Sequence, residues 1–327
     1  MSFRNIETPA VIRTVNLTKS YDGRVTVNKL NLKVLPGEIY GFLGPNGAGK
    51  TTTIRMLVGL LPPTSGHVEF FGHPADRELV QIRRRLGVVG EYSFVYDDMT
   101  ALEYLKFFAR FYGVRNEQKR IMELLEQLEL APYAQLLARD FSQGMQKKLS
   151  LARALLHEPD LLILDEPVSG LDPYGILQVR HVLQEQRQAG RAIFLSSHIL
   201  SEVERTADRI GILNKGQLLM EGTMEEVRSK LAPKMELKVE LQAPIAGLSQ
   251  RLEHLAGVKH VTCQERVLNI QTETDLRVAV SQTITSAGGL VVSMEAQEPS
   301  LEDVFVKLTE GQRGERSNGT ARGKRAA

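Results

Sequence analysis

Apolar residues along this 327-residue chain fall into short unbroken runs and short periodic stretches, which predict different elements. Residues 38–43 are mostly apolar and read as a strand, and residues 52–58 read as a helix. Between them lie three glycines in six positions, Gly44, Gly47 and Gly49. A second run, residues 161–164, ends in two carboxylates, Asp165 and Glu166. It predicts a buried parallel strand whose C-terminal end faces a ligand site. Four aromatics, Tyr104, Phe107, Phe108 and Phe111, recur at helical spacing and predict a helix with an aromatic core face.

The pattern changes beyond a boundary near residues 222–233. Residues 235–242 alternate strictly, as in a half-buried strand, and residues 248–256 read as a short helix. Residues 258–263 and 267–271 read as two strands around a polar turn at Gln264, Glu265 and Arg266. Leu276, Val280 and Ile284, four apart, form the stripe of an amphipathic helix that Gly288 and Gly289 stop. Residues 290–294 make a last strand. The order β-α-β-β-α-β predicts a ferredoxin-like α+β domain. Residues 299–308 are expected to close it as a helix, with Ser300 as N-cap and Asp303 completing a capping box.

Chemistry enters with residues 44–52, Gly-Pro-Asn-Gly-Ala-Gly-Lys-Thr-Thr. Gly44, Gly49, Lys50 and Thr51 fill the pattern G-x-x-x-x-G-K-[ST] between a predicted strand and a predicted helix. The backbone of Gly44, Pro45, Asn46, Gly47, Ala48, Gly49, Lys50, Thr51 and Thr52 is expected to wrap phosphate oxygens. The helix N-terminus adds about half a positive charge aimed at the same anion. Lys50 is expected to reach the β- and γ-phosphates of ATP, and Thr51 to ligate Mg²⁺. Asp165 can hold the same ion, and Glu166 is placed to orient or deprotonate the attacking water.

At this point the chain resembles the ATP-binding subunits of ABC transporters, across roughly residues 10–225. Phe141, Ser142, Gln143, Gly144 and Met145 look like the signature sequence of that family. Ser169, Gly170, Leu171 and Asp172 look like its D-loop, and His198 after Ser197 like its switch histidine. Tyr21, 23 positions before Gly44, stands where the family places an aromatic that stacks on adenine. The resemblance implies a P-loop cassette: a RecA-like core, an antiparallel β subdomain and a helical subdomain at about 90–155. It also implies that Ser142 and Gly144 complete the ATP site of a second subunit, giving a nucleotide-sandwich homodimer. The sequence departs from the commonest signature at Gln143, which replaces glycine, and at Met145, which replaces glutamine. Glu91 stands where most members carry glutamine. It reads either as a Mg²⁺ ligand, as in a branch of drug and lipid exporters, or as a surface glutamate at a loop start. The C-terminal part resembles the extension of the daunorubicin-resistance-type exporters.

Composition is that of an ordinary globular chain, 24% charged and 42% hydrophobic. The single cysteine, Cys263, excludes an internal disulfide. No apolar run approaches the ~18 residues of a membrane helix, and residues 1–10 do not read as a signal peptide. Transport would therefore need a separate ABC-2-type permease, with this chain cytoplasmic and peripheral on the membrane face. Net charge is +2, which argues neither for nor against a nucleic-acid partner; none is expected from the resemblance. Residues 311–327 carry five basic side chains against Glu315, which leaves the rest of the chain at −2. This stretch reads as a disordered basic tail, either solvated or in touch with anionic lipid. His254, His260 and Cys263 fall on different elements and do not predict a metal site. Tyr92, Phe94 and Tyr96 precede Asp97 and Asp98 in a loop beside Glu91, where helical packing does not account for them. Two readings stand: a surface that receives a cytoplasmic helix of the permease, or additional core.

The expected organisation is thus a cassette over 1–225, an accessory α+β domain over 226–310 and the tail. The expected function is ATP-driven dimer closure and hydrolysis that energise an exporter. A soluble cassette acting on ribosomes or DNA is disfavoured by the single phosphate loop and the lack of a heptad run. A regulator with a dead site is disfavoured by intact Lys50, Asp165, Glu166 and His198.

Overall fold

The computed structural model describes residues 9–75, 79–92, 94–231 and 235–297. The helix expected at 299–308 and the tail at 311–327 lie outside the described residues. The chain divides into two compact units, Met1–Met224 and Glu225–Ala327.

The first unit holds two sheets. One is antiparallel, built from β1 (Ile12–Tyr21), β2 (Arg24–Leu30), β3 (Lys33–Val34), β5 (Ser65–Phe70) and β6 (His73–Pro74), in the order β2-β1-β5-β6 with β3 on β1. The other contains β4 (Ile39–Leu43), β7 (Leu86–Val89), β8 (Leu161–Asp165), β9 (Ala192–Ser197), β10 (Arg209–Asn214) and β11 (Gln217–Thr223), ordered β11-β10-β4-β9-β8-β7. Its strands are parallel except β11. Every residue of β4, β8 and β9 is buried, as the unbroken apolar runs require of a sheet covered on both faces. Tyr40 and Phe194 stack with centroids 5.6 Å apart in this core.

Helices α1 (Lys50–Leu57), α2 (Leu79–Arg84), α6 (Pro173–Gln188) and α7 (Leu200–Glu204) accompany the parallel strands. Helices α3 (Ala101–Tyr112), α4 (Glu117–Gln127) and α5 (Gln143–Leu155) pack on one another between β7 and β8 in the chain. Thr100 and Glu103 close a reciprocal cap at the start of α3, which fixes where the exposed loop before it ends.

The aromatic helix departs from expectation. Tyr104 is buried, but Phe107 is 46% exposed and Phe111 77% exposed. The two lie four residues apart; Phe107 touches Tyr96 and Phe108 along one side only, and Phe111 lies largely open. They are surface, not core.

After α8 (Met224–Leu231), the second unit runs β12 (Met235–Leu241), α9 (Leu248–Glu253), β13 (Val258–Gln264), β14 (Val267–Thr272), α10 (Arg277–Ser286) and β15 (Val291–Gln297). The antiparallel sheet order β13-β14-β12-β15 is the ferredoxin-like one. Leu237, Val239 and Leu241 supply the inward face, against Leu252, Val280 and Ile284. Among the described residues no group of histidine, cysteine and carboxylate side chains is arranged to hold a metal.

Candidate functional site

The parallel register brings the expected chemistry to one edge. Leu43 pairs with Ser197, and Ser196 pairs with Phe42 on one side and with Asp165 on the other. The loops that leave β4, β8 and β9 therefore emerge together at the C-terminal ends of their strands. The loop after β4 is the glycine-rich one. A Cβ on Gly44 would lie 2.4 Å from the Leu213 carbonyl oxygen, so only glycine fits. Gly49 has φ 110° and stands where α1 begins. Gly47 also has positive φ, and Asn46 and Gly47 are exposed at the loop tip. Lys50 is the first residue of α1, with Thr51 and Thr52 next, so the open N–H groups of this helix face the loop.

Lys50 is 6% exposed. Its Nζ donates to the Gly44 carbonyl at 2.7 Å and lies 3.4 Å from Glu166 Oε1. The other oxygen, Glu166 Oε2, is 2.9 Å from His198 Nδ1. One carboxylate thus stands between the loop lysine and the switch histidine. His198 is exposed, so the chain of contacts runs from a buried cation to the surface. Glu166 has φ 50°, a left-handed conformation that costs a non-glycine residue about 1–3 kcal/mol. Ser196, fully buried, holds it there. Its hydroxyl accepts from the Glu166 N–H at 3.1 Å and donates to Asp165 Oδ1 at 2.6 Å. Sequence reasoning passed over Ser196. The signal was its place in β9, level with the carboxylates of β8, which shows only once strands are in register.

Ser142 caps α5, its hydroxyl accepting from the Met145 N–H at 3.2 Å. Ser142 and Gln143 are exposed. Gly144 packs on the D-loop: its Cβ would meet Leu171 Cδ2 at 3.2 Å. The structure does not bring this segment to the chain's own phosphate loop, since α5 lies on β7, which β8 and β9 separate from β4. Asp172 caps α6, accepting from the Gly175 N–H at 2.9 Å. Tyr21 ends β1, half exposed, with the Lys19 ammonium 5.2 Å from its ring centre.

Glu91 is exposed in the loop after β7. Beneath it lies Lys147, a buried lysine of α5 that sequence reasoning also missed. Its Nζ donates to the carbonyls of Glu91 at 2.7 Å and Gly90 at 3.2 Å. Burial pulls the Lys147 ammonium below the ordinary lysine range, while Asp165, Glu166 and Glu91 pull it back up.

Of the three loop aromatics, Tyr92 and Phe94 are 69% and 82% exposed. Tyr96 is different. It stacks on Phe108 and meets Tyr104 and Phe107 edge-on, with centroids about 6 Å apart. Tyr96 belongs to the ring cluster while remaining half exposed; the rings of the other two are exposed, although the Phe94 carbonyl accepts from the Tyr104 hydroxyl at 3.3 Å.

A phosphate loop, a paired carboxylate and a switch histidine at the C-terminal edge of a parallel sheet define a nucleoside-triphosphatase of the ATP-binding-cassette class. Comparison with known proteins gives the family. Residues 27–169 match the ABC transporter model, and residues 222–309 match the C-terminal domain of DrrA1-3-like ATP-binding proteins. The chain is 38% identical over 302 residues to the bacitracin transport ATP-binding protein BcrA of Bacillus licheniformis, covering 92% of this chain and 98% of that one. It is 34% identical to the daunorubicin resistance ATP-binding protein DrrA3 of Streptomyces coeruleorubidus, covering 89% and 93%. A solved ATP-binding subunit of an ABC transporter aligns with TM-score 0.64 at 32% identity, over 67% of this chain and 92% of that one. A dimeric cassette in a post-hydrolysis state with ADP and Pi aligns with TM-score 0.61 at 25% identity, over 65% and 98%. This chain belongs to the ATP-binding subunits of ABC transporters, and it carries the accessory domain of the DrrA-like branch.

Proposed function

We propose that this ATPase drives an exporter by closing as a dimer around two ATP molecules, with Glu166 as general base and His198 as its partner at the γ-phosphate. The observation that carries the assignment is the run of contacts from Lys50 through Glu166 to His198. Lys50 is a cation held by a carbonyl and a carboxylate, and the γ-phosphate of ATP is a stronger partner for it than either. Once Lys50 turns to phosphate, Glu166 keeps His198 and is free to accept a proton from water. Ser196 holds the Glu166 backbone in place throughout.

Thr51, Asp165 and Glu91 offer only oxygen donors, a set that suits a hard divalent cation such as Mg²⁺. Bound there with ATP, Mg²⁺ would neutralise phosphate charge. Asp165 is suited to hold it because Ser196 already fixes one of its oxygens and leaves the other open. Tyr21 supplies a half-exposed ring for adenine. Ser142, Gln143, Gly144 and Met145, with Asp172 behind them, face a second subunit. The exposed Ser142 hydroxyl and the open N–H groups at the start of α5 suit a phosphate brought by that subunit.

No helix among the described residues is long and apolar enough to cross a membrane. The membrane-spanning part of the exporter is a second polypeptide, and we place this chain on its cytoplasmic face. Tyr92 and Phe94, exposed in the loop that follows Glu91, and Phe107 and Phe111, exposed on the helix after it, offer aromatic anchors suited to receive it. The organisation we propose is a cassette over 1–225 and an accessory domain over 226–310. The relatives are named for bacitracin transport and daunorubicin resistance; for this chain, cargo contacts belong to the permease.

The test is Lys50→Ala. Nucleotide titration should show ATP affinity reduced by about 100-fold or more, the worth of a charge-assisted phosphate contact in a buried site. Unchanged affinity would mean that the loop serves another anion.

A further inference from the structure

Helix α5 grips strand β7 and the loop that follows it at three points. Gly87 of β7 has no room for a Cβ, which would lie 2.4 Å from the Ala154 carbonyl oxygen, so the helix lies directly on the strand. Arg153 Nη2 donates to the Val88 carbonyl at 3.0 Å. Six residues earlier on the same helix, Lys147 Nζ donates to the Gly90 and Glu91 carbonyls. The grip therefore continues past the end of β7 and onto the loop itself. Lys147 is 4% exposed. A buried ammonium is tolerated only with partners, and this one has two carbonyls and the nearby charges of Asp165, Glu166 and Glu91.

Its position in the chain gives the contact meaning. Lys147 lies three residues after Gly144 and five after Ser142, on the helix whose start is offered to the second subunit. Its ammonium lies against the backbone of Glu91, which belongs to the chain's own site. We infer that Lys147 is a positioning residue that makes the Glu91 loop and the start of α5 one mechanical unit, so that nucleotide in one site sets the residues presented to the other. This inference rests on reading the site as half of a nucleotide sandwich. Lys147 touches no nucleotide and takes no part in the chemistry. It acts through the backbone it holds.

The experiment uses the full chain carrying Glu166→Gln, alone and with Lys147→Met or Lys147→Arg. Methionine keeps the length of the stem and removes the charge and the donors, whereas arginine keeps both. Three quantities are measured: melting temperature, ATP affinity of the dilute monomer without divalent cation, and dimer dissociation constant by gel filtration with ATP and Mg²⁺. Lys147→Met should raise the dimer dissociation constant about tenfold or more, from the loss of charge-assisted bonds that order the loop. Monomer ATP affinity should stay within about threefold, and Lys147→Arg should restore the dimer. If Lys147→Met does not fold, Lys147→Leu, which also lacks charge and donors, takes its place with the same expectations. Dimerisation of a folded, donor-lacking variant equal to that of its parent overturns the inference. So does an equal loss of monomer ATP affinity, which would mark a merely structural lysine, or a folded Lys147→Arg that fails to dimerise. Should the chain with Glu166→Gln alone bind ATP yet stay monomeric, the sandwich reading itself falls and takes this inference with it.

Discussion

Replacing Ser196 with alanine removes one oxygen atom from a fully buried position and disturbs the Asp165 carboxylate and the Glu166 backbone at once. The hydroxyl accepts from the Glu166 N–H at 3.1 Å and donates to Asp165 Oδ1 at 2.6 Å. Alanine leaves the N–H without that acceptor and takes a bond from a carboxylate. A buried unsatisfied group costs about 1–3 kcal/mol, and a hydrogen bond to a charged group contributes about 1.5–3 kcal/mol. The two losses share one atom, so a combined effect of about 2–4 kcal/mol is expected. For a unit of this size that lowers the melting temperature by roughly 5–15 °C. The effect on turnover has a separate cause. Glu166 sits in a left-handed conformation that Ser196 helps to hold, and a carboxylate free to relax no longer faces the water it must activate. Turnover should fall about tenfold to a hundredfold, while ATP affinity stays within about threefold because the phosphate loop is untouched. Calorimetry and steady-state ATPase kinetics at a temperature where the variant is folded separate the two effects. A lowered melting temperature with unchanged turnover would show that Glu166 does not depend on Ser196. If neither quantity changes, the contact is without consequence.

Two further outcomes are expected. Replacing Tyr92 and Phe94 together with serine should spare ATPase activity and weaken co-purification with the permease on the order of 30-fold, the worth of truncated interface aromatics; normal recovery of the permease would remove the docking role. Tyr96 is left alone in that experiment because its loss would also open the ring cluster. His157 is held below the ordinary histidine range chiefly by burial, with its Nε2 3.0 Å from the Leu86 carbonyl. The unfolded chain therefore binds this proton more readily, and the stability His157 contributes is full above the ordinary histidine pKa and lost as pH falls. Melting temperature should drop more steeply between pH 7.5 and 5.5 in the parent than in His157→Gln; parallel curves would contradict this.

The sequence was most legible where local rules decide structure. Gly44 through Thr52 fixed a strand–loop–helix, and Ser142 and Asp172 sit at helix starts because short polar side chains cap them. The alternation in residues 235–242 and the 276–280–284 stripe likewise sufficed for a ferredoxin-like unit. What stayed hidden depended on neighbours distant in the chain. Ser196 meets Asp165 and Glu166 only through strand register, and Lys147 meets Glu91 only because α5 lies on β7. Phe107 and Phe111 misled for the same reason: helical spacing reveals a shared face but not whether anything covers it.

The central claim is that ATP joins two copies of this chain and that Glu166 ends the joined state. Glu166→Gln keeps the shape of the side chain and removes the base, so hydrolysis should slow by about 10²–10⁴ while ATP binding persists. Gel filtration of that variant with ATP and Mg²⁺ is the direct measurement. The account predicts a shift to twice the monomer mass of 36.5 kDa, reversed when ATP is withdrawn. A protein that binds ATP, stays monomeric and hydrolyses at the parent's rate would contradict it.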